Sequence, residues 1–222
     1  MADDVAEALL VVCAHPDDEC LGAGGTILNH TGRGIPVDVM CLTGNTRRNR
    51  ELKQACSTLG VRRVFTNERS DFDVDMSLVE EVADTILQSR PRAIVTHMPD
   101  DYNRAHVITS KVVMEAVEWA SHTTIYPEAH RVERVFFMET NSLMTHPQVF
   151  VDITESYATA VQALRQHESQ MSKAHEFYPR LYDARTRLRG VQSECERAEA
   201  FRVVWPQHAG PFYPQNHISL LL

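Results

Sequence analysis

The chain alternates between short apolar runs and longer stretches whose apolar residues recur at helical spacing. Residues 8–14, Ala-Leu-Leu-Val-Val-Cys-Ala, contain no polar position, which suits a strand buried on both faces. A helix is expected at 21–30 behind a Gly-rich turn, and a second strand at 36–42. Over 51–59, Leu52, Ala55, Cys56 and Leu59 share one helical face, and Gly60 stands where a C-terminal cap belongs. A strand at 64–66 precedes a helix at 77–87, in which Ser77 and Glu80 have capping-box spacing. Strand 93–96, helix 105–120 and strands 135–137 and 149–151 follow. Two polar helices, 156–173 and 184–201, close the pattern, and their Glu and Arg residues read as a solvated face.

Strands alternating with helices in this way form a βαβ series, hence an α/β fold with a mostly parallel sheet covered on both faces. No repeat or Pro/Gly-rich linker divides the 222 residues. One domain is therefore expected over 1–222, with 205–222 as an irregular C-terminal arm. The composition, 43% hydrophobic and 23% charged, is that of an ordinary globular chain. A net charge of −8 lacks the basic footprint that nucleic acid requires. No apolar run approaches the ~20 residues of a membrane helix, so no membrane insertion is expected. The start of the chain has neither the basic residues nor the apolar length of a secretory signal, which points to the cytoplasm. Cys13, Cys20, Cys41, Cys56 and Cys195 are odd in number and lack C-x-x-C spacing, which argues against a disulfide framework or a zinc ribbon.

Chemistry concentrates in two segments. His15-Pro16-Asp17-Asp18-Glu19 follows the first strand directly. Three crowded carboxylates need a compensating charge, and a divalent cation supplies it where a phosphate would be repelled. Gly22-Ala23-Gly24-Gly25 lacks the spacing of a dinucleotide loop and reads as a site of close helix packing. The second segment, Thr96 to His106, is polar and acidic and ends on an imidazole at a helix start. In doubly wound sheets the strand order commonly reverses between the first and fourth strands, and ligands bind in the crevice at their carboxyl ends. Both segments would then meet in one crevice.

His15-Pro-Asp-Asp-Glu19 followed by Leu21-Gly-Ala-Gly-Gly-Thr26 resembles the opening motif of the LmbE-like, or PIG-L, family of metal-dependent N-acetylglucosamine deacetylases. The second segment resembles that family's second motif. Arg48-x-x-Glu51, Val151-Asp-Ile-Thr154, His167-x-Ser169-Gln170 and Ala198-Glu-Ala-Phe201 agree with it. The resemblance implies a Rossmann-like α/β/α fold and a zinc ion, with ferrous iron as the alternative, on His15, Asp18 and His106. It implies Asp17 as general base and an N-acetyl amino sugar or its conjugate as substrate, with Arg48, Asp101 and Asn103 beside it. Asn103 and Ala105 stand where the commonest motif has His and Asp. His122, His130 and His146 fall in a region that could form a lid; the proton donor is left open between one of them and a protonated Asp17, and each of the three taken singly reads as inert. Three readings stay open: the sugar deacetylase, an amidase on another metabolite, and a catalytically weak metal-binding relative acting as a ligand-binding protein. Self-association into a homo-oligomer is left open as well.

Overall fold

A computed structural model describes residues 8–171 and 176–204; the expected arm at 205–222 lies outside the described residues. Strands β1 (Leu9–Cys13), β2 (Val37–Cys41), β3 (Arg63–Phe65), β4 (Ala93–His97), β5 (Arg134–Met138), β6 (Val149–Asp152) and β7 (Ala198–Val203) form one sheet. Its order is β3-β2-β1-β4-β5-β7-β6. The first five strands run parallel, and β7 lies antiparallel between β5 and β6. The order turns back between β1 and β4, as expected. Helices α1 (Asp18–Thr31), α2 (Thr46–Thr58), α3 (Met76–Ser89), α4 (Arg104–Ala120), α5 (Tyr157–Arg165), α6 (Glu168–Met171) and α7 (Phe177–Gln192) complete the order.

The apolar strand runs explain the two-sided core. Leu9, Val11 and Cys13 pack with α1, α2 and α5, while Leu10 and Val12 pack with α3 and α4. Gly60 takes a φ of 74° at the end of α2, the left-handed conformation a C-terminal cap uses. None of the helices is long and apolar enough to cross a membrane among the described residues.

Three expectations are corrected. Helix α3 is capped by Asp75, whose carboxylate accepts the Leu78 N–H at 2.9 Å, so Ser77 lies inside the helix. The expected helix over 156–173 divides into α5 and α6, with His167 at the joint. The expected helix over 184–201 stops at Gln192. Glu194 turns the chain with a φ of 58°, and Ala198–Val203 enters the sheet between two partners. The charged residues of this region form a solvated face only in part: Arg187, Glu194 and Glu196 are exposed, whereas Arg185, Arg189, Arg197 and Glu199 are buried.

Two of these buried charges, Arg185 and Glu199, serve α1. The helix breaks at Ala23 (φ −147°), and a break strands backbone groups that a continuous helix would pair. Arg185 donates to the Leu21 carbonyl, and Glu199 accepts the Gly25 and Thr26 N–H groups at 2.9 and 2.8 Å. Tyr182 and the Thr26 hydroxyl complete the Glu199 shell at 2.8 and 2.7 Å. The Gly-rich stretch lets α1 close on the sheet. A Cβ on Gly22 would meet Met138 Sδ at 2.3 Å, and one on Gly25 would meet Ile153 Cγ2 at 2.5 Å.

Gly25→Ala is therefore expected to destabilise the fold by about 1–3 kcal/mol, the usual cost of overpacking. Ile153→Ala in the same chain should recover part of that loss, because it vacates the space the new methyl needs. Urea unfolding of both single variants and the double variant gives the coupling.

Candidate metal centre

The carboxyl ends of β1 and β4 are neighbours, so the loops that follow them share one crevice. After β1 the chain passes His15 and Pro16 and enters α1 at Asp18. Asp17 takes a φ of 125°, a conformation costing a non-glycine residue on the order of 1–3 kcal/mol. The loop satisfies its own amides. Asp18 Oδ2 accepts the His15 N–H at 2.8 Å, and Glu19 Oε2 accepts the Asp17 N–H at 2.9 Å. Asp17, Asp18 and Glu19 are all buried.

From the other side, the first turn of α4 delivers His106. Its Nδ1 lies 3.1 Å from Asp101 Oδ2 and 3.2 Å from the Thr140 hydroxyl. Its Nε2 is buried without a hydrogen-bond partner and points at Asp18 Oδ1, 3.5 Å away. His15 Nδ1 stands 3.3 Å from Asp18 Oδ2. Two atoms each about 2.1 Å from a tetrahedral ion lie about 3.4 Å apart. His15, Asp18 and His106 each offer one ligand atom within 4.8 Å of the others, and the orphaned imidazole nitrogen and the donor types suit zinc or ferrous iron. The electrostatics agree. Burial works against a charged imidazole, but Asp18 and Asp101 overcome it and raise His106 to about 10. Burial likewise opposes the Asp18 charge, yet His106 and His97 hold that carboxyl well below its ordinary range. The pocket favours positive charge between its carboxylates.

His97 lies wholly buried beneath His106, the rings stacked at 3.9 Å. Its Nε2 is 3.0 Å from the Ala14 amide and 3.2 Å from Asp18 Oδ2. Burial lowers its pKa against the pull of Asp18, and the ring supports the centre from below.

Arg48, at the start of α2, reaches the loop. It donates to the Pro16 carbonyl and, at 3.2 Å, to Asp17 Oδ1; its side chain is 21% exposed. Burial and the adjacent Asp18 push the Asp17 carboxyl up to about 7, against the pull of Arg48. Asp101 does not line open space: its side chain is 1% exposed and fixes His106. Asn103 caps α4, its Oδ1 accepting the Ala105 N–H at 2.9 Å. His130 bonds the Pro91 carbonyl before β4, and His122 follows the far end of α4. Both therefore sit at the opposite end of the sheet from the centre, and no lid is built from them. His146 is exposed in the β5–β6 loop. A groove of about 860 Å³ lined by Lys111, Trp119 and Ile125 of the α4 region shares no residue with the centre.

Sequence reasoning missed a second buried pair. His167 Nε2 lies 2.7 Å from Glu19 Oε1, with both side chains fully buried. Cys20 Sγ stands 3.2 Å from the same oxygen. A 2.7 Å contact is a hydrogen bond between the two groups. The fragment His167-x-Ser169-Gln170 was the available signal.

Residues 10–117 match the PIG-L family, described as GlcNAc-PI de-N-acetylase. A probable N-acetyl-α-D-glucosaminyl L-malate deacetylase 2 from Bacillus cereus is 29% identical, covering 73% of this chain and 83% of its own. A diacetylchitobiose deacetylase from Thermococcus kodakarensis is 28% identical, covering 76% and 71%. Among solved structures, a 4-carboxy-2-hydroxymuconate hydratase from Pseudomonas putida superposes with a TM-score of 0.80 at 22% identity, covering 93% and 100%. That likeness shows the fold alone. With the motifs, the sheet order and the sequence matches in agreement, residues 10–117 carry the PIG-L, LmbE-like family signature.

Proposed function

We propose that the chain hydrolyses the acetamide of an N-acetylated amino sugar or its conjugate, releasing acetate and a free amine. One observation carries the reading. The buried His106 Nε2 lacks any hydrogen-bond partner and faces Asp18, while its other nitrogen is fixed by Asp101. A buried polar atom in that state calls for a ligand. His15, Asp18 and His106 would hold a divalent ion, zinc or ferrous iron. When bound, such an ion acidifies water and polarises the substrate carbonyl.

Asp17 is the proton carrier. Arg48 occupies Oδ1, which leaves Oδ2 to take the proton of the attacking water and return it to the leaving nitrogen. Asn103 Oδ1 is spent on the helix cap, and its Nδ2 remains to donate a hydrogen bond to substrate. That amide cannot shuttle a proton at neutral pH, so both proton transfers fall to Asp17. Arg48 combines two tasks: its fork secures the carrier, and its exposed part meets substrate hydroxyls or an anionic group. The names of the two deacetylase relatives support the amino-sugar class. The hydratase neighbour marks a second chemistry that the fold accommodates; release of acetate is the result that separates the two.

His106→Ala should abolish stoichiometric metal binding, checked by elemental analysis after dialysis. Full occupancy in that variant would remove His106 from the ligand set.

Asp17→Asn should lower kcat by about 10²–10⁴, the usual range for losing a general base, with metal content unchanged. Asp18→Asn should weaken metal binding itself. The reverse pattern would exchange the two roles.

Arg48→Ala should reduce kcat by more than it raises KM, because the guanidinium acts first on Asp17. A rise in KM alone would make Arg48 a substrate contact only.

A further inference from the structure

The buried Glu19–His167 pair lies outside the metal set, yet one carboxylate joins it to the proton carrier. Glu19 takes His167 Nε2 on Oε1 at 2.7 Å and the Asp17 N–H on Oε2 at 2.9 Å. That amide belongs to the residue held at a φ of 125°, so its hydrogen bond bears on the torsion that aims the Asp17 side chain. His167 is itself anchored. Its carbonyl receives the Gln170 and Met171 N–H groups at 2.8 and 3.1 Å. Two residues on, Ser169 N and Oγ bond Glu51 of α2 at 3.0 and 2.6 Å. The same helix carries Arg48, which grips the Asp17 carboxylate. Helix α2 thus reaches Asp17 twice, once at the side chain and once, through the α5–α6 joint and Glu19, at the backbone.

We propose that His167 is a positioning residue for the reaction, holding Glu19 so that the backbone of Asp17 keeps the conformation that presents Oδ2 to the attacking water. The inference rests on the reading of Asp17 as proton carrier. A pair that only filled the core would be replaceable by apolar side chains of similar volume with no effect on Asp17. Such replacements of a complete buried ion pair are often neutral or stabilising. Here the exchange would also take the acceptor away from the Asp17 amide.

The test uses the full chain carrying Glu19→Leu together with His167→Leu, and two single variants, His167→Gln and His167→Asn. The Gln amide reaches the place of Nε2 and can donate to Glu19; the Asn amide falls short. Hydrogen exchange of the Asp17 amide is followed in the metal-free protein. Acetate release from N,N′-diacetylchitobiose and metal stoichiometry are measured with zinc. The double and Asn variants should exchange the Asp17 amide at least about 10-fold faster. Their kcat should fall about 10- to 100-fold, the scale of a misplaced reacting group, with KM and zinc content held. His167→Gln should restore both readouts to near the parent values. Retention of Asp17 protection and kcat in the double variant overturns the inference, as does a Gln variant no better than Asn. Should the double variant not fold, the contrast between Gln and Asn decides. Asp17→Asn run in parallel separates the two levels. If it keeps full kcat, the carrier reading fails and the inference with it. If it loses kcat while the His167 variants do not, the positioning role alone falls.

Discussion

Three consecutive buried carboxylates, Asp17, Asp18 and Glu19, are the constraint around which the rest of the molecule is arranged. Placing three like charges out of water on one turn is unfavourable unless each finds its own compensation. The fold supplies a different partner to each, from a different part of the chain. Asp17 meets Arg48 of α2, Asp18 meets three imidazoles from two strand ends, and Glu19 meets His167 at the α5–α6 joint. Around Asp18 the ligand atoms of His15 and His106 converge within 4.8 Å, and the unpartnered His106 Nε2 faces that space. The contacts of the other two acids also hold the loop's shape.

Much of this architecture could be read in advance because parallel strands buried on both faces leave continuous apolar runs. The segment 8–14 was of that kind, and 36–42 and 93–96 were interrupted only by Asp38 and Thr96. The acidic and imidazole residues at two of their ends pointed to one crevice for topological reasons. The failures have physical causes. Ala198–Val203 carries Glu199 and Arg202, so a reading that treats charge as solvent-seeking continues the helix through it. An acidic residue stands at 199 because the break at Ala23 exposes backbone donors that need an acceptor. Arg185 answers the Leu21 carbonyl on the same terms. Glu19 and His167 stand 148 residues apart, and no local periodicity connects them. Asp101 was expected beside the substrate, because nothing in its turn-like Asp-Tyr-Asn context shows that its carboxylate turns inward to His106.

The start of α4 shows two requirements meeting in one side chain. The free N–H groups at a helix start need an acceptor, and Asn103 provides it for Ala105. The same position lies three residues before the metal-ligand candidate His106. An imidazole there would bring a titratable nitrogen but a poorer cap. Asn brings the better cap and gives up the proton, which leaves the chemistry dependent on the opposite wall, where Asp17 stands.

The long reach of the contacts around α1 has a consequence for how the chain acquires its shape during synthesis. The segment from His15 to Thr26 leaves the ribosome early, whereas His167, Arg185 and Glu199 follow some 150 to 180 residues behind it. Contacts of such sequence separation form late, after the loop-closure entropy of the intervening chain has been overcome. Until then the acidic turn has no neutralising partner beyond Arg48 and the nearby histidines, and the second half of α1 lacks the acceptor for its first donors. The nascent sheet of β1 to β4 can assemble around its apolar strands, but the reactive corner takes its final form only once the closing antiparallel strand is in place.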